Sequence, residues 1–76
     1  MRKIIEILNN LHPGVDWESE TELVDRGLID SFDVIALIGD LSDAFHVEIG
    51  LEFLEPENFN SVAAIAALLK NLGAEV

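Results

Sequence analysis

The segment that decides the fold covers residues 30–46 and reads DSFDVIALIGDLSDAFH. Its apolar residues recur at the spacing of one helical face, at Val34, Ile38, Leu41 and Phe45. Asp30 is of a residue type that favours the N-cap position, where a side-chain oxygen accepts a hydrogen bond from a backbone N–H group. The pattern therefore predicts a helix from Ser31 to Phe45 or His46, with the apolar stripe facing a core.

Shorter patterns on both sides of this segment predict the remaining helices. An apolar face indicates a first helix over residues 2–12, which ends at Pro13 because proline disfavours helix in the residue before it. A brief helical turn is expected over residues 54–59, and a last helix from Asn60 or Ser61 to Gly73. The expected fold is all-α, a small antiparallel four-helix bundle with three main helices and one short one, and residues 1–76 are expected to form one domain.

Residues 13–30, between the first two main helices, show no sustained period. A loop of about 18 residues is unusual in a compact domain, and such loops tend to be functional. Its scattered apolar residues are expected to hold it across the bundle, with Gly27 allowing the turn into the second helix.

Charge is the strongest feature of the composition. The 76 residues include 15 acidic and four basic ones, for a formal net charge of −11, and no cysteine. Such a surface repels nucleic acid and anionic membranes and attracts basic protein partners, although acidic charge also simply keeps a small domain in solution. The longest wholly apolar run, residues 62–69, is far shorter than a membrane span, so we expect no membrane insertion and a cytoplasmic protein.

The residues give little support to an enzyme acting alone. Ser31 has no G-x-S-x-G setting, and His46 lies about 22 Å away if it ends the same helix, at 1.5 Å per residue. His12 could reach Ser31 only through tertiary folding, and a lone surface histidine at a helix end is usually inert. We therefore predict no catalytic residues.

A calcium-binding module is a second alternative, because acidic residues alternate along the loop at Asp16, Glu18, Glu20 and Glu22. An EF-hand loop needs a glycine after its third ligand, and none is present here. A solvated acidic loop is the simpler interpretation, and no metal site is predicted.

Ser31 lies directly after an aspartate, in the opening turn of an amphipathic helix. Free backbone N–H groups and the positive end of the helix dipole favour a phosphate there. An exposed serine in a first turn is also accessible to another enzyme. From these residues alone, an ordinary capping serine is the favoured interpretation.

The segment Gly27-Leu28-Ile29-Asp30-Ser31-Phe32 resembles the G-x-D-S-[LMF] attachment signature of acyl and peptidyl carrier proteins, with two residues instead of one between the glycine and the aspartate. The resemblance extends over the whole chain, since the long loop, the Asp-Ser helix start, the short third helix and the Ser61-Val62 helix start follow the family order. It implies that a phosphopantetheinyl transferase uses Mg²⁺ to move 4'-phosphopantetheine from coenzyme A onto Ser31, with Asp30 assisting. The arm would then carry an acyl or aminoacyl group as a thioester.

The resemblance also implies a recognition surface on the second helix. Its contacts would be the apolar residues Phe32 and Ile35 and the acidic residues Asp33, Asp40 and Asp43. The expected partners of a monomeric carrier are an acyl- or aminoacyl-loading ligase or transferase and downstream synthases with basic docking patches. Two alternatives stay open: a core position for Phe32, and a merely solvated face for the three aspartates.

One departure concerns the pathway. Fatty-acid carriers are commonly glutamate-rich along this helix and have a bulky apolar residue midway, whereas this chain has Ala36, Gly39 and Ser42 there. The candidate pathways are therefore fatty-acid synthesis and, favoured by this difference, a specialised polyketide, nonribosomal peptide, aminoacyl or D-alanyl, or lipid route. The alternative from another class is an acidic helical adaptor without a prosthetic group, which would not need Ser31.

Overall fold

The computed structural model describes residues 2–75, apart from the side chain of Leu51. Within that range the chain forms helices and irregular segments, with no strand. The α-helices are α1 (Arg2–Leu11), α2 (Ser31–Phe45), α3 (Pro56–Phe59) and α4 (Val62–Asn71), and a 3₁₀ turn covers Leu51–Phe53. The predicted all-helical bundle, with three main helices and a short one, is confirmed.

The ends of the main helices follow from local chemistry. The hydroxyl of Ser61 accepts a hydrogen bond of 3.0 Å from the backbone N–H of Ala64 at the start of α4. Gly73, just beyond the end of α4, has a φ of +95°, which glycine adopts without the steric cost that a side chain would impose. His46 ends α2 in the left-handed conformation, with a φ of +55°. The predicted bounds of these helices are thus correct to within about two residues.

The core lies where α1 packs on α2 and α4. Every main helix contributes completely buried residues to it, and so does the long loop: Ile4, Leu8, Leu23, Leu37, Leu41, Ile65 and Leu69. Three members of the predicted stripe on α2 are buried, while Phe45 is half-buried. The ammonium of Lys3 lies 5.5 Å from the centre of the Phe45 ring, so the open side of the ring contacts a cation.

The long loop is held to the bundle at two places. Trp17 is buried, and its indole N–H donates a 2.8 Å hydrogen bond to the side-chain oxygen of Asn9 on α1. Asn60, between α3 and α4, accepts the backbone N–H of Leu23 on its own carbonyl, at 2.8 Å. The Asn60 side-chain oxygen accepts two more, from Val24 and Asp25, at 3.0 and 3.1 Å. The expectation that the loop is pinned across the bundle is confirmed.

The segment before α3 differs from the prediction. The helical turn expected over residues 54–59 starts only at Pro56, because proline disfavours the helical conformation in the residue before it. Glu55 is accordingly extended, with φ −123° and ψ 140°. Among the described helices, none has both the length and the apolar character needed to cross a membrane.

Candidate functional site

Ser31 is the first residue of α2, and its side chain is exposed. The turn that carries it is fixed by a reciprocal pair of hydrogen bonds, a capping box. The Asp30 carboxylate accepts the backbone N–H of Asp33 at 2.9 Å, and the Asp33 carboxylate accepts the backbone N–H of Asp30 at 3.2 Å. The backbone on both sides of Ser31 is therefore held by the side chains of Asp30 and Asp33.

The first turn of α2 also contains backbone hydrogen-bond donors that are not used within the described part of the chain. The backbone N–H groups of Ser31 and Phe32 donate to no acceptor within the described part of the chain. Unpaired N–H groups and the positive dipole end favour an anion at a helix start of this length. The exposed hydroxyl and these N–H groups thus fit a phosphate ester on Ser31.

A histidine reaches the same turn from α1. His12 follows the last residue of α1, and its Nε2–H donates a 2.8 Å hydrogen bond to the Asp33 carboxylate. This hydrogen bond, supported by the backbone N–H of Asp30, holds the pKa of the Asp33 carboxyl below its usual value. The expectation that His12 is inert did not include this contact, and no local pattern indicates it, because the two residues are 21 positions apart.

A shallow groove of about 110 Å³ opens beside Ser31. Its walls are mainly apolar and come from the long loop, α2 and the segment around α3: Val24, Ser31, Val34, Leu54, Glu55, Pro56 and Phe59. Sites for drug-sized ligands measure about 300–1,000 Å³, so the groove in this form holds only a small group. At its rim, the Glu57 carboxyl raises the pKa of Glu55 through a hydrogen bond and like-charge repulsion.

The outer face of α2 places apolar side chains in solvent. Phe32 is 83% exposed and Ile35 is 51% exposed, so the interpretation of Phe32 as a core residue is wrong. Asp40 and Asp43 are exposed on the same helix. Asp33 is only partly accessible, because its carboxylate is engaged by His12.

The positions of the two histidines and of the acidic loop residues bear on the enzyme and calcium-binding alternatives. His46 lies at the opposite end of α2 from Ser31, and His12 contacts Asp33. The acidic loop residues form no cluster with three potential ligands, and neither does any other group of side chains in residues 2–75.

The comparison with known families identifies the class of protein. A family model described as the phosphopantetheine attachment site matches residues 2–69, which include all four helices up to the last turn of α4. The chain belongs to this family of phosphopantetheine-binding carrier domains, the family of the acyl carrier proteins. No curated protein and no solved structure matches the chain significantly.

Membership confirms the resemblance seen in the sequence. Carrier domains of this family hold a covalently attached 4'-phosphopantetheine arm and are not themselves catalysts. The protein is therefore a carrier that works with a modifying enzyme and with the enzymes of a pathway, and it is not an enzyme.

Proposed function

We propose that the protein carries acyl or aminoacyl intermediates as thioesters on a 4'-phosphopantetheine arm attached to Ser31. The observation that supports this site most directly is the exposed Ser31 hydroxyl in the first turn of α2, beside backbone N–H groups that have no acceptor in the described structure. The other helix-starting serine, Ser61, uses its hydroxyl as the cap of α4. Its side chain is therefore engaged within the fold, while the Ser31 hydroxyl makes no hydrogen bond to the described residues.

The attachment is a phosphoryl transfer with coenzyme A as the donor. An O–P bond forms between the Ser31 hydroxyl oxygen and the phosphate of phosphopantetheine, the phosphoanhydride bond of coenzyme A breaks, and adenosine 3',5'-bisphosphate leaves. The hydroxyl proton passes to a base of the transferase. Once attached, the arm supplies a thiol for thioester formation, and the chain has no cysteine that would compete with it.

Asp30 is the residue that we assign to the transfer step. One of its carboxylate oxygens caps α2, and the other accepts no hydrogen bond from the described residues. The free oxygen is next to Ser31 and is of the type that Mg²⁺ prefers. In the complex with the transferase, Asp30 would help to hold that Mg²⁺, and we propose no permanently bound metal.

The exposed side chains of α2 form the proposed recognition surface. Phe32 and Ile35 supply apolar contacts close to the arm, while Asp40 and Asp43, with the accessible part of Asp33, supply negative charge. A net charge of −11 steers basic surfaces toward the protein. The proposed partners are a phosphopantetheinyl transferase, a loading ligase or transferase, and downstream synthases with basic docking patches.

The small residues on α2 favour a specialised pathway over general fatty-acid synthesis. Gly39 and Ala36 are exposed and leave the middle of the outer face without a bulky side chain. Partners of a different shape would fit such a face, as in polyketide, nonribosomal peptide, D-alanyl or specialised lipid routes. We further propose that the chain works as a single-domain monomer in the cytoplasm, where coenzyme A is available.

The attachment site is tested by intact mass after incubation with coenzyme A, Mg²⁺ and a promiscuous phosphopantetheinyl transferase. The variants are Ser31→Ala and, as a matched control, Ser61→Asn, which removes the other helix-starting hydroxyl but keeps a good N-cap. Wild type and Ser61→Asn should each gain one phosphopantetheine, and Ser31→Ala none.

Addition of phosphopantetheine to the Ser31→Ala variant would show that the arm is attached to another residue. Failure of the folded wild type with several active transferases would instead favour the acidic adaptor without a prosthetic group.

The recognition surface is tested by steady-state kinetics of the same transferase. Phe32→Ala and Asp40→Asn should raise KM. Glu6→Gln, which removes one exposed charge from α1, serves as the control for net charge. If Asp40→Asn and Glu6→Gln have equal effects, total charge and not the α2 surface governs docking.

A further inference from the structure

One carboxylate oxygen joins three parts of the molecule at the start of α2. Oδ2 of Asp33 accepts the Nε2–H of His12 at 2.8 Å and also the backbone N–H of Asp30 at 3.2 Å. His12 thereby connects the end of α1 to the residue directly before Ser31. The hydrogen bond from His12 to Asp33 is part of neither the capping box nor the core, so its role needs a separate explanation.

His12 is itself held in place. Its backbone N–H donates a 2.8 Å hydrogen bond to the carbonyl of Leu8, which continues the hydrogen-bond pattern of α1 by one residue. Leu8 is completely buried in the core. The imidazole therefore extends from a fixed backbone, and the hydrogen bond to Asp33 transmits that fixed position to the start of α2.

Ser31 depends on its backbone for its orientation. Its hydroxyl makes no hydrogen bond within residues 2–75, so no side-chain contact aims the nucleophilic oxygen. The peptide between Ile29 and Asp30, directly before the residue that precedes Ser31, is held by the Asp33 carboxylate, which His12 also contacts. A misplacement of about 1 Å in a reacting group can reduce a rate by ~100-fold, so this support bears on the transfer reaction.

We propose that His12 is a positioning residue for phosphopantetheine attachment, acting through its hydrogen bond to Asp33 to hold the Asp30-Ser31 turn in the geometry that the transferase requires. The inference rests on the proposed function of Ser31 as the attachment site. The relevant property of His12 is an N–H donor at the position of Nε2, and a glutamine amide can supply a donor at a similar distance from the backbone.

The test compares the rate of arm attachment to wild type, His12→Ala and His12→Gln at saturating coenzyme A. His46→Asn is the control, because it changes the other histidine, and asparagine tolerates the left-handed conformation at that position. His12→Ala should lower kcat on the order of tenfold with little change in KM, as expected for misplacement of a reacting group. His12→Gln should recover most of the rate, and His46→Asn should match wild type.

The double variant His12→Ala with Asp33→Ala decides whether His12 acts through Asp33. It should be no slower than Asp33→Ala alone, because the hydrogen bond is already lost in the single variant. In parallel, solvent exchange of the Asp30 amide, measured by NMR on the unmodified protein, should accelerate in His12→Ala and return toward the wild-type rate in His12→Gln. This second measurement needs no transferase.

Distinct outcomes overturn distinct claims. A wild-type rate in His12→Ala, equal losses in the alanine and glutamine variants, or further slowing in the double variant would each refute the positioning role while leaving Ser31 as the attachment site. A wild type that accepts no arm would refute the proposed function and the role of His12 with it. If His12→Ala does not fold, His12→Gln with a wild-type kcat and a wild-type Asp30 exchange rate supports the proposal, and a tenfold loss refutes it.

Discussion

Both faces of α2 carry large apolar side chains, but in opposite surroundings. Leu37 and Leu41 on the inner face are completely buried, whereas Phe32 and Ile35 on the outer face lie largely in solvent. Two large apolar side chains in solvent on one face of a helix agree with the proposed recognition surface. One helix thus stabilises the fold with one face and presents the proposed attachment site and the proposed contacts with the other.

This comparison predicts that substitutions on the two faces separate stability from recognition. Changes on the inner face should alter the free energy of unfolding, and changes on the outer face should alter the kinetics with partners. Substitutions at the turn that carries Ser31 should affect both.

The largest effect is expected at the centre of the inner face. Leu37→Ala should lower the free energy of unfolding by about 2–5 kcal/mol, because it leaves a cavity in a packed core. For a domain of this size that is a large part of the total stability. Urea denaturation measures the change, and a loss below about 1 kcal/mol would show that the site repacks or is less enclosed than the structure indicates.

The second-largest effect on the free energy of unfolding is expected for Asp33, whose carboxylate holds the turn before Ser31. This effect depends on pH. Asp33→Ala should cost about 1 kcal/mol at neutral pH, the typical value for a helix cap. The pKa of Asp33 is lowered in the folded state from its usual 3.8, so its stabilisation is present above that value and is lost as the pH falls through the folded pKa. The difference between wild type and variant, followed by thermal unfolding, should shrink in acid.

Asp40→Ala is the control for this experiment, since Asp40 is exposed on the same helix and accepts no hydrogen bond from the described residues. An equal dependence on pH in both variants would contradict the assigned role of the Asp33 contact.

A gain in stability is expected on the outer face. Gly39→Ala should stabilise the protein by up to about 1 kcal/mol, because an added Cβ meets no atom within 4 Å and alanine favours helix. Gly27→Ala is the contrasting variant. Gly27 has a φ of +76°, so alanine there should destabilise the protein. Thermal unfolding tests both, and equal changes in the two variants would argue against this explanation.

The smallest change in stability is expected for Phe32→Ala. With 83% of the side chain exposed, the free energy of unfolding should stay within about 0.5 kcal/mol of the wild type. The same variant should raise the KM of the transferase. A large loss of stability would place Phe32 in the fold and weaken the assignment of the outer face as a recognition surface.

Much of the fold and of the candidate site is predictable from the sequence, because the patterns that indicate them involve residues close together along the chain. The stripe on α2 follows from a spacing along the chain, and the helix start follows from Asp30 as the cap. Ser31 lies directly after that cap, and the resemblance of residues 27–32 to the attachment signature is what points to its proposed role. The start of α3 was misplaced by two residues, since the effect of Pro56 on its neighbours competes with the helical tendency of residues 54 and 55.

The sequence by itself determined the helices and the long loop, because periodicity and capping act between residues a few positions apart. It also contains the family signature and, within it, Ser31. Only the tertiary structure decided that His12 donates a hydrogen bond to Asp33 and that the Asn60 side chain donates one to Asp25 in the long loop. It also decided that a groove opens beside Ser31. Those contacts join residues 21 and 35 positions apart. Their geometry depends on how the helices pack, and packing is a property of the whole core that no local pattern records.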